Sequence, residues 1–247
     1  MPTRTSLSKT LIVLLAATSA LGPAAMQILL PALPVIKETF EVSTEVAQLT
    51  LSLSMLAIAL GTLFFGPLSD KYGRKPVMLL GLSITLAGSI FCFLANTIEL
   101  LIAGRFIQAF GAAVGLVLAR AIVRDIYGAQ EAARVIATLV MVMVVAPMLS
   151  PALGGELMLR LGWEYVFVVI AIACILISLL LIKNLPETLK EPVPFTGVAA
   201  MIGNYALLFR SHAFCGYAFC VTFVSVLFFS FISAAPEIMV SVLKRPP

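Results

Sequence analysis

Charged residues with the potential for chemistry are concentrated in one short stretch, Gly66–Pro76, which reads GPLSDKYGRKP. It places Asp70, Lys71, Arg74 and Lys75 between two long apolar runs. The cations alone are what a loop at a membrane edge requires. Asp70 is not explained in that way, and it has one glycine four residues before it and another three residues after it. The chemistry that a carboxylate offers among cations is ion pairing.

A second polar pair, Arg105 and Gln108, lies inside an apolar run that reads LIAGRFIQAFGAAVGLVLAR. A charged side chain at the centre of a bilayer costs about 2.5–3.5 kcal/mol on insertion scales. Either Arg105 reaches outward to the membrane edge, or it faces a cavity together with Gln108 and the small residues on the same helical face. The small residues favour the cavity. The predicted substrate-cavity residues are Gln27, Arg105 and Gln108.

Residue types that enzymes and metal sites commonly use are scarce in this sequence. His212 is the only histidine, and no G-x-S-x-G or paired-aspartate arrangement is present. The four cysteines lie on apolar runs without metal-ligand or C-x-x-C spacing; they are Cys92, Cys174, Cys215 and Cys220. We therefore expect neither an enzyme nor a resident metal or cofactor.

The composition indicates a membrane protein that is built from helices. Of the 247 residues, 61% are hydrophobic and only 11% are charged, and the mean hydropathy is +1.11. A helix needs about 20 mostly apolar residues to cross a bilayer, and the runs lack the alternation of a barrel strand. Seven spans are predicted: Lys9–Leu30, Val46–Phe65, Val77–Ala95, Ile98–Val123, Ile136–Leu157, Tyr165–Ile182 and Ala213–Ala235. Seven spans also allow a receptor or a channel.

The distribution of cations predicts the orientation of these spans. A net charge of +4 could suggest a nucleic-acid partner, but the basic residues sit in short loops between spans. With the N-terminus inside, eleven Lys and Arg residues lie inside and four outside. Because inner loops carry the excess of cations, we expect a cytoplasmic N-terminus and a cytoplasmic GPLSDKYGRKP loop, without nucleic-acid contact.

Three regions follow from the spacing of the spans. Residues 1–182 form a six-span bundle, residues 183–212 a cytoplasmic linker, and residues 213–247 begin a further bundle with one span. The linker starts with the proline-containing stretch NLPETLKEPVP. Its second half has apolar residues on one helical face, which predicts a helix on the membrane surface.

The loop between spans two and three resembles the signature of the major facilitator superfamily, G-x-L-x-D-x-x-G-R-K/R. Six residues match in place: Gly66, Leu68, Asp70, Gly73, Arg74 and Lys75. The resemblance implies an all-α fold, with a six-helix N-terminal bundle of two inverted three-helix repeats, followed by the linker and a seventh helix. It also implies that Asp70 pairs with cations and faces a helix of a second bundle, and that Gly66 and Gly73 allow the helices and loop to approach closely.

Span five resembles the antiporter signature G-x-x-x-G-P-x-x-G-G of the same superfamily. Three positions match, and two glycines are replaced by Ala146 and Ser150. The antiporter-like helix comprises Ala146, Pro147, Ser150, Pro151, Gly154 and Gly155. The stretches LGPAAMQILLPALP and RDIYGAQEAAR further resemble the Bcr/CflA branch of bacterial drug–proton antiporters, which implies a multi-pass protein of a bacterial inner membrane.

The function that the resemblance implies is export of drug-like compounds by a proton-coupled antiporter, with small-molecule substrate, protons and lipid as partners. Relatives usually carry an acidic residue in span one at the position of Gln27 or beside it, and Gln27 cannot titrate. Glu237 is the remaining candidate for a coupling carboxylate. The alternatives are a carrier that moves a metabolite by uniport or symport, and a chain that is inactive on its own because the C-terminal bundle is missing.

Overall fold

The structure, a computed structural model, describes residues 8–189, 203 and 207–237, without the side chains of 128–130 and 228–237. Within these residues every regular element is a helix. Their bounds are α1 Lys9–Gln27, a short 3₁₀ turn Leu30–Ala32, α2 Leu33–Thr39, α3 Thr44–Tyr72, α4 Arg74–Phe93, α5 Ile98–Arg160, α6 Tyr165–Asn184 and α7 His212–Glu237.

Six stretches of the described chain are helical, long and apolar enough to cross a membrane, as the sequence predicts. They are Lys9–Thr39, Thr44–Tyr72, Arg74–Phe93, Ile98–Tyr127, Glu131–Arg160 and Tyr165–Asn184. The predicted seventh span lies on α7, which contributes a shorter apolar stretch, His212–Leu227. The chain is therefore a multi-pass helical membrane protein.

Helix α5 differs from the prediction because it contains spans four and five without a break. The sequence predicts a loop between Val123 and Ile136, whereas the structure continues the helix through this segment. The chain nevertheless reverses, because Arg120 Nη2 lies 3.8 Å from Met143 Sδ, and a straight helix would separate residues 23 apart by about 35 Å. Alanine, glutamine, glutamate and arginine dominate this segment and favour helix, which explains why no irregular loop forms.

The interior of the bundle is formed by α1 and the first half of α5. In each of these spans 61% of the most apolar stretch is buried, compared with 11% for Glu131–Arg160. Close approach depends on glycine at two crossings. A methyl group at Gly115 would collide with the Thr18 carbonyl of α1, and one at Gly88 would collide with the Gln108 backbone. The second half of α5 instead presents most of its side chains outward.

Aromatic residues close the end of the bundle where α6 begins. Trp163 packs edge-on against Phe40, with ring centroids 5.8 Å apart, and against Phe167, with centroids 6.1 Å apart. The rings join the segment after α2 to the start of α6. Since α6 has 20 residues, this end lies about 30 Å from the end where α6 finishes.

The chain divides into two compact units, Met1–Phe195 and Thr196–Pro247. The first unit includes residues 185–189, which the sequence assigns to the linker. The predicted amphipathic helix lies mostly outside the described residues.

Candidate functional site

Gly73 connects α3 to α4 as a single residue and makes the turn of the predicted loop. Its φ of +101° lies in a region that glycine enters without the steric cost of a Cβ. A methyl group there would also stand 2.6 Å from Glu187 Oε2. The loop is therefore only one residue long, and α4 begins directly at Arg74. By contrast, a methyl group at Gly66 would make an ordinary 3.8 Å contact with Val117. The described helices therefore do not require glycine at position 66, and the close approach predicted there stays a prediction.

Arg74 is the centre of an ion-pair cluster that joins three helices. Its Nη1 lies 2.6 Å from Asp70 Oδ1, and its Nε donates a 2.9 Å hydrogen bond to Asp125 Oδ2. Nη1 also donates to Ser69 Oγ at 2.6 Å. The Arg74 side chain is only 10% exposed, so the two carboxylates replace water in stabilising its positive charge. Asp70 remains 45% exposed and keeps room for another partner.

Glu187, three residues after the end of α6, binds the first turn of α4. Its carboxylate accepts the backbone N–H of Arg74 at 2.9 Å and that of Lys75 at 3.1 Å. These N–H groups have no partner within the helix, and the positive end of the helix dipole favours an anion. The N–H groups of Thr188 and Leu189 donate to the same carboxylate at 2.9 Å.

The environment of Glu187 stabilises its ionised form. Partial burial raises the pKa of this carboxyl, but the hydrogen bonds from the Leu189, Arg74, Lys75 and Thr188 amides lower the pKa by more, so it lies below the usual range. Glu187 is therefore a carboxylate at neutral pH.

Two more contacts fasten the last turn of α6 and the segment after it to the Arg74 cluster. Lys75 Nζ donates to the Ile182 carbonyl at 2.8 Å, and Thr188 Oγ1 lies 3.5 Å from Asp125 Oδ2. Asp125 and Glu187 were both missed as site residues by the sequence analysis. The available signal was an acidic residue two residues (Asp125) or five residues (Glu187) beyond the end of an apolar span, at the membrane edge that carries the GPLSDKYGRKP cations.

Arg105 and Gln108 form a second polar cluster, and each is only 1% exposed. Arg105 Nη1 donates to Gln108 Oε1 at 2.5 Å and to the Ala25 carbonyl of α1 at 3.1 Å. Gln108 Nε2 donates to Ser89 Oγ of α4 at 2.8 Å. The cluster therefore lies between α1, α4 and the first half of α5, inside the bundle and away from its surface.

The third predicted cavity residue is not hydrogen-bonded to this cluster among the described residues. Gln27 is the last residue of α1 and is partly exposed, and no hydrogen bond in the described part of the chain joins it to Arg105. The small residues that share a face with Arg105 pack against α1; a methyl group at Gly22 would lie 3.4 Å from Ala112 Cβ.

The antiporter-like row of span five faces the chain beyond α1. Ser150 is buried and its Oγ donates to the Ala146 carbonyl at 2.7 Å. A methyl group at Gly154 would collide with the Ile28 carbonyl, whereas one at Gly155 would meet nothing within 4 Å. Pro147 and Pro151 lie within α5, which continues through them. Glu237 is the last residue of α7, and its side chain is outside the described part of the structure.

Comparison with known proteins identifies the family. The sequence matches the family described as Major Facilitator Superfamily over residues 15–243, which include every cluster described above. The chain belongs to the Major Facilitator Superfamily. Its membership agrees with the signature at Gly66–Lys75.

Bacterial relatives of this major facilitator chain include proteins named for drug resistance. It is 34% identical to the MFS-type transporter YdgK of Bacillus subtilis, over 90% of this chain and 56% of YdgK. It is 30% identical to the bicyclomycin resistance protein homolog of Haemophilus influenzae, over 92% of this chain and 58% of that protein. Multidrug resistance protein D of Escherichia coli is 28% identical over 83% of this chain and 51% of its own length. The chain thus spans just over half the length of these relatives.

Solved structures give the same fold for this major facilitator chain. The human organic anion transporter MFSD10 superposes with a TM-score of 0.65 at 22% identity, over 81% of this chain and 53% of MFSD10. A peptide transporter, POT, superposes with a TM-score of 0.64 at 16% identity, over 94% of this chain and 46% of its own. At these identities the likeness concerns the fold alone.

Proposed function

We propose that this chain is the N-terminal part of a secondary transporter that exports drug-like small molecules in exchange for protons. Its relatives named for bicyclomycin and multidrug resistance support the substrate class. The observation that carries the gating part of the proposal is the pairing of Arg74 with both Asp70 and Asp125. That pairing ties α3, α4 and α5 together at one end of the bundle.

The two carboxylates on Arg74 suggest a division of labour. Asp125 is 25% exposed and Asp70 is 45% exposed. The more buried pair, Arg74 with Asp125, holds α4 to α5, while Asp70 has an oxygen without a partner among the described residues, which can also meet the N-terminus of a helix from a second bundle. A carboxylate near a helix N-terminus gains about 0.3–1 kcal/mol, or up to about 2 kcal/mol when partly buried. An interaction of that size shifts the equilibrium between the outward-facing and inward-facing states without trapping the protein in one of them.

The proposal includes the orientation and the remaining site assignments. The cation count supports a cytoplasmic N-terminus and an inner-membrane location, which puts the Arg74 cluster at the cytoplasmic gate. Gln27, Arg105 and Gln108 are assigned to substrate recognition, and Glu237 to proton coupling. A second bundle completes the cavity, since carriers of this type bind substrate at the interface of two halves.

The second candidate function is a carrier of the same fold that moves a metabolite by uniport or symport. It is favoured by Gln27, because a glutamine in span one cannot carry a proton. The two functions differ in the direction and pH dependence of flux.

Drug susceptibility of an efflux-deficient bacterial host that expresses the complete gene tests the proposal. We expect reduced susceptibility to one or more amphipathic compounds, and loss of the protection in an Asp70→Asn variant present at the same membrane level. Unchanged susceptibility to all compounds, together with pH-independent uptake of a metabolite, would favour the second candidate.

A further inference from the structure

Arg105 has one edge of its guanidinium without a partner. Nε and Nη2 are both buried, and neither has a hydrogen-bond partner among the described residues. These two N–H groups point the same way and form the side-on fork of the guanidinium, which matches the two oxygens of a carboxylate. The unpaired donors are thus the pair best suited to bidentate binding.

The other edge of Arg105 is held firmly. Nη1 donates to Gln108 Oε1, Gln108 Nε2 donates to Ser89 Oγ, and Ser89 Oγ donates to the Thr85 carbonyl at 2.8 Å. In this series of hydrogen bonds each group donates to the next, and the series ends on the backbone of α4. The hydrogen bonds therefore fix the orientation of the guanidinium relative to α4. A fixed fork loses little conformational entropy when it binds a ligand.

The charge of Arg105 is only partly compensated. Its Nη1 also binds the Ala25 carbonyl, which belongs to the last turn of α1, where the helix dipole places about half a negative charge. No carboxylate lies within 4.0 Å of Arg105 in the part of the chain that the structure describes; the arginines in ion pairs there are Arg74 and Arg160. A buried guanidinium stays protonated, and burial of a charge without a counter-ion is costly.

We propose that the Nε–Nη2 edge of Arg105 binds the carboxylate of an organic monoanion, so that substrates of this site carry a carboxyl group. One cation with a planar fork suits a single planar carboxylate better than a phosphate dianion. The apolar helices around the cluster suit an organic anion better than a hydrated inorganic one.

The inference rests on the proposed transport function only for the statement that the bound anion is a substrate. Binding itself is measured without transport. Export that fails while binding persists would reject the proposed function and leave the site standing, whereas binding that fails rejects the site whatever the export assays give.

The test uses purified chain in detergent micelles, with thermal unfolding followed by circular dichroism. Sodium benzoate is compared with benzamide, which has the same ring but no charge, at constant ionic strength. We expect benzoate to raise the midpoint in a saturable way, because a ligand that binds only the folded state stabilises it. Benzamide should leave the midpoint unchanged.

Arg105→Lys and Arg120→Lys form the matched pair of variants. Lysine keeps the charge but lacks the fork, so the apparent affinity for benzoate should fall roughly tenfold or more in Arg105→Lys. Arg120 lies on the same helix with an exposed side chain, and its lysine variant should respond to benzoate as the unaltered chain does.

Three results would overturn the proposal. The first is an equal response to benzoate and benzamide. The second is an Arg105→Lys variant that keeps the full benzoate response. The third is a midpoint that chloride raises and benzoate does not, which would assign the fork to inorganic anions. If Arg105→Lys does not fold, the benzoate–benzamide comparison on the unaltered chain still decides.

Discussion

Glu187 Oε1 lies 2.9 Å from the backbone nitrogen of Arg74. The segment that follows α6 therefore caps the N-terminus of α4. The same carboxylate reaches Lys75 N at 3.1 Å. Residues 113 positions apart are thereby joined at one end of the bundle.

Stability should depend on the ionisation of Glu187. Its pKa is lowered in the folded state, so its contribution is fully present above the unfolded pKa of about 4.3 and is lost as the pH falls through the folded value. Glu187→Gln should therefore lower stability by about 0.5–1 kcal/mol at pH 7, and the two proteins should converge in acid. Thermal unfolding across pH 7 to 3 measures the difference. Glu156→Gln is the control, since the Glu156 carboxylate is exposed and pairs with the Arg160 side chain instead of with the backbone amides of another helix. A difference that stays constant down to pH 3 would contradict the assignment.

Asp70→Asn should slow transport by the complete protein and leave substrate affinity nearly unchanged. Asparagine keeps the size of the side chain but removes the charge that pairs with Arg74. Turnover in liposomes and binding by fluorescence quenching separate the two effects. If binding weakened more than about tenfold while turnover held, Asp70 would be a binding residue and not a gate.

Gly154→Leu should lower both the yield of folded protein and its transport. A side chain at position 154 collides with the Ile28 carbonyl, and helices in membranes rely on small residues for such approaches. Gly155→Leu is the matched control, since a Cβ there meets nothing within 4 Å. Size-exclusion chromatography after mild heating compares the two variants. Equal yield and activity of the two variants would contradict the assignment of Gly154 to a close helix contact.

Residues 1–247 alone should insert and fold but should not transport. Alternating access requires two bundles about a shared site, and the chain spans just over half of its relatives. Flux into liposomes that contain only residues 1–247 is the measurement. Saturable flux that disappears in Arg105→Ala would show that the chain works as it stands, as a dimer of halves.

The apolar runs of the sequence predicted the six spans because a bilayer demands about 20 apolar residues whatever the tertiary packing. Single-residue detail was less accessible. The loop predicted between Val123 and Ile136 is helical, since the sequence pattern marks where the chain leaves the apolar core and does not report backbone conformation there. The matching residues of the Gly66–Lys75 signature located one end of the bundle correctly.

The residues that bind Arg74 from other helices could not be predicted from the local sequence. Asp125 and Glu187 reach Arg74 from residues 51 and 113 positions away, and only the packing of α5 and α6 against α4 brings them together. For Arg105 the sequence likewise could not give the surroundings of the side chain. Its helical face was predicted, but whether that face meets a cavity or another helix depends on α1, whose carbonyl at Ala25 it contacts.

The aromatic contacts of Trp163 at the start of α6 provide an intrinsic fluorescence signal for this end of the bundle. Trp163 is the sole tryptophan, it is 5% exposed, and it touches Phe40 and Phe167 about one membrane thickness from the Arg74 cluster. Its emission colour depends on contact with water. A movement that parts α2 from α6 would wet the indole and shift the emission to the red, so opening of that end can be timed by stopped-flow mixing without any attached dye.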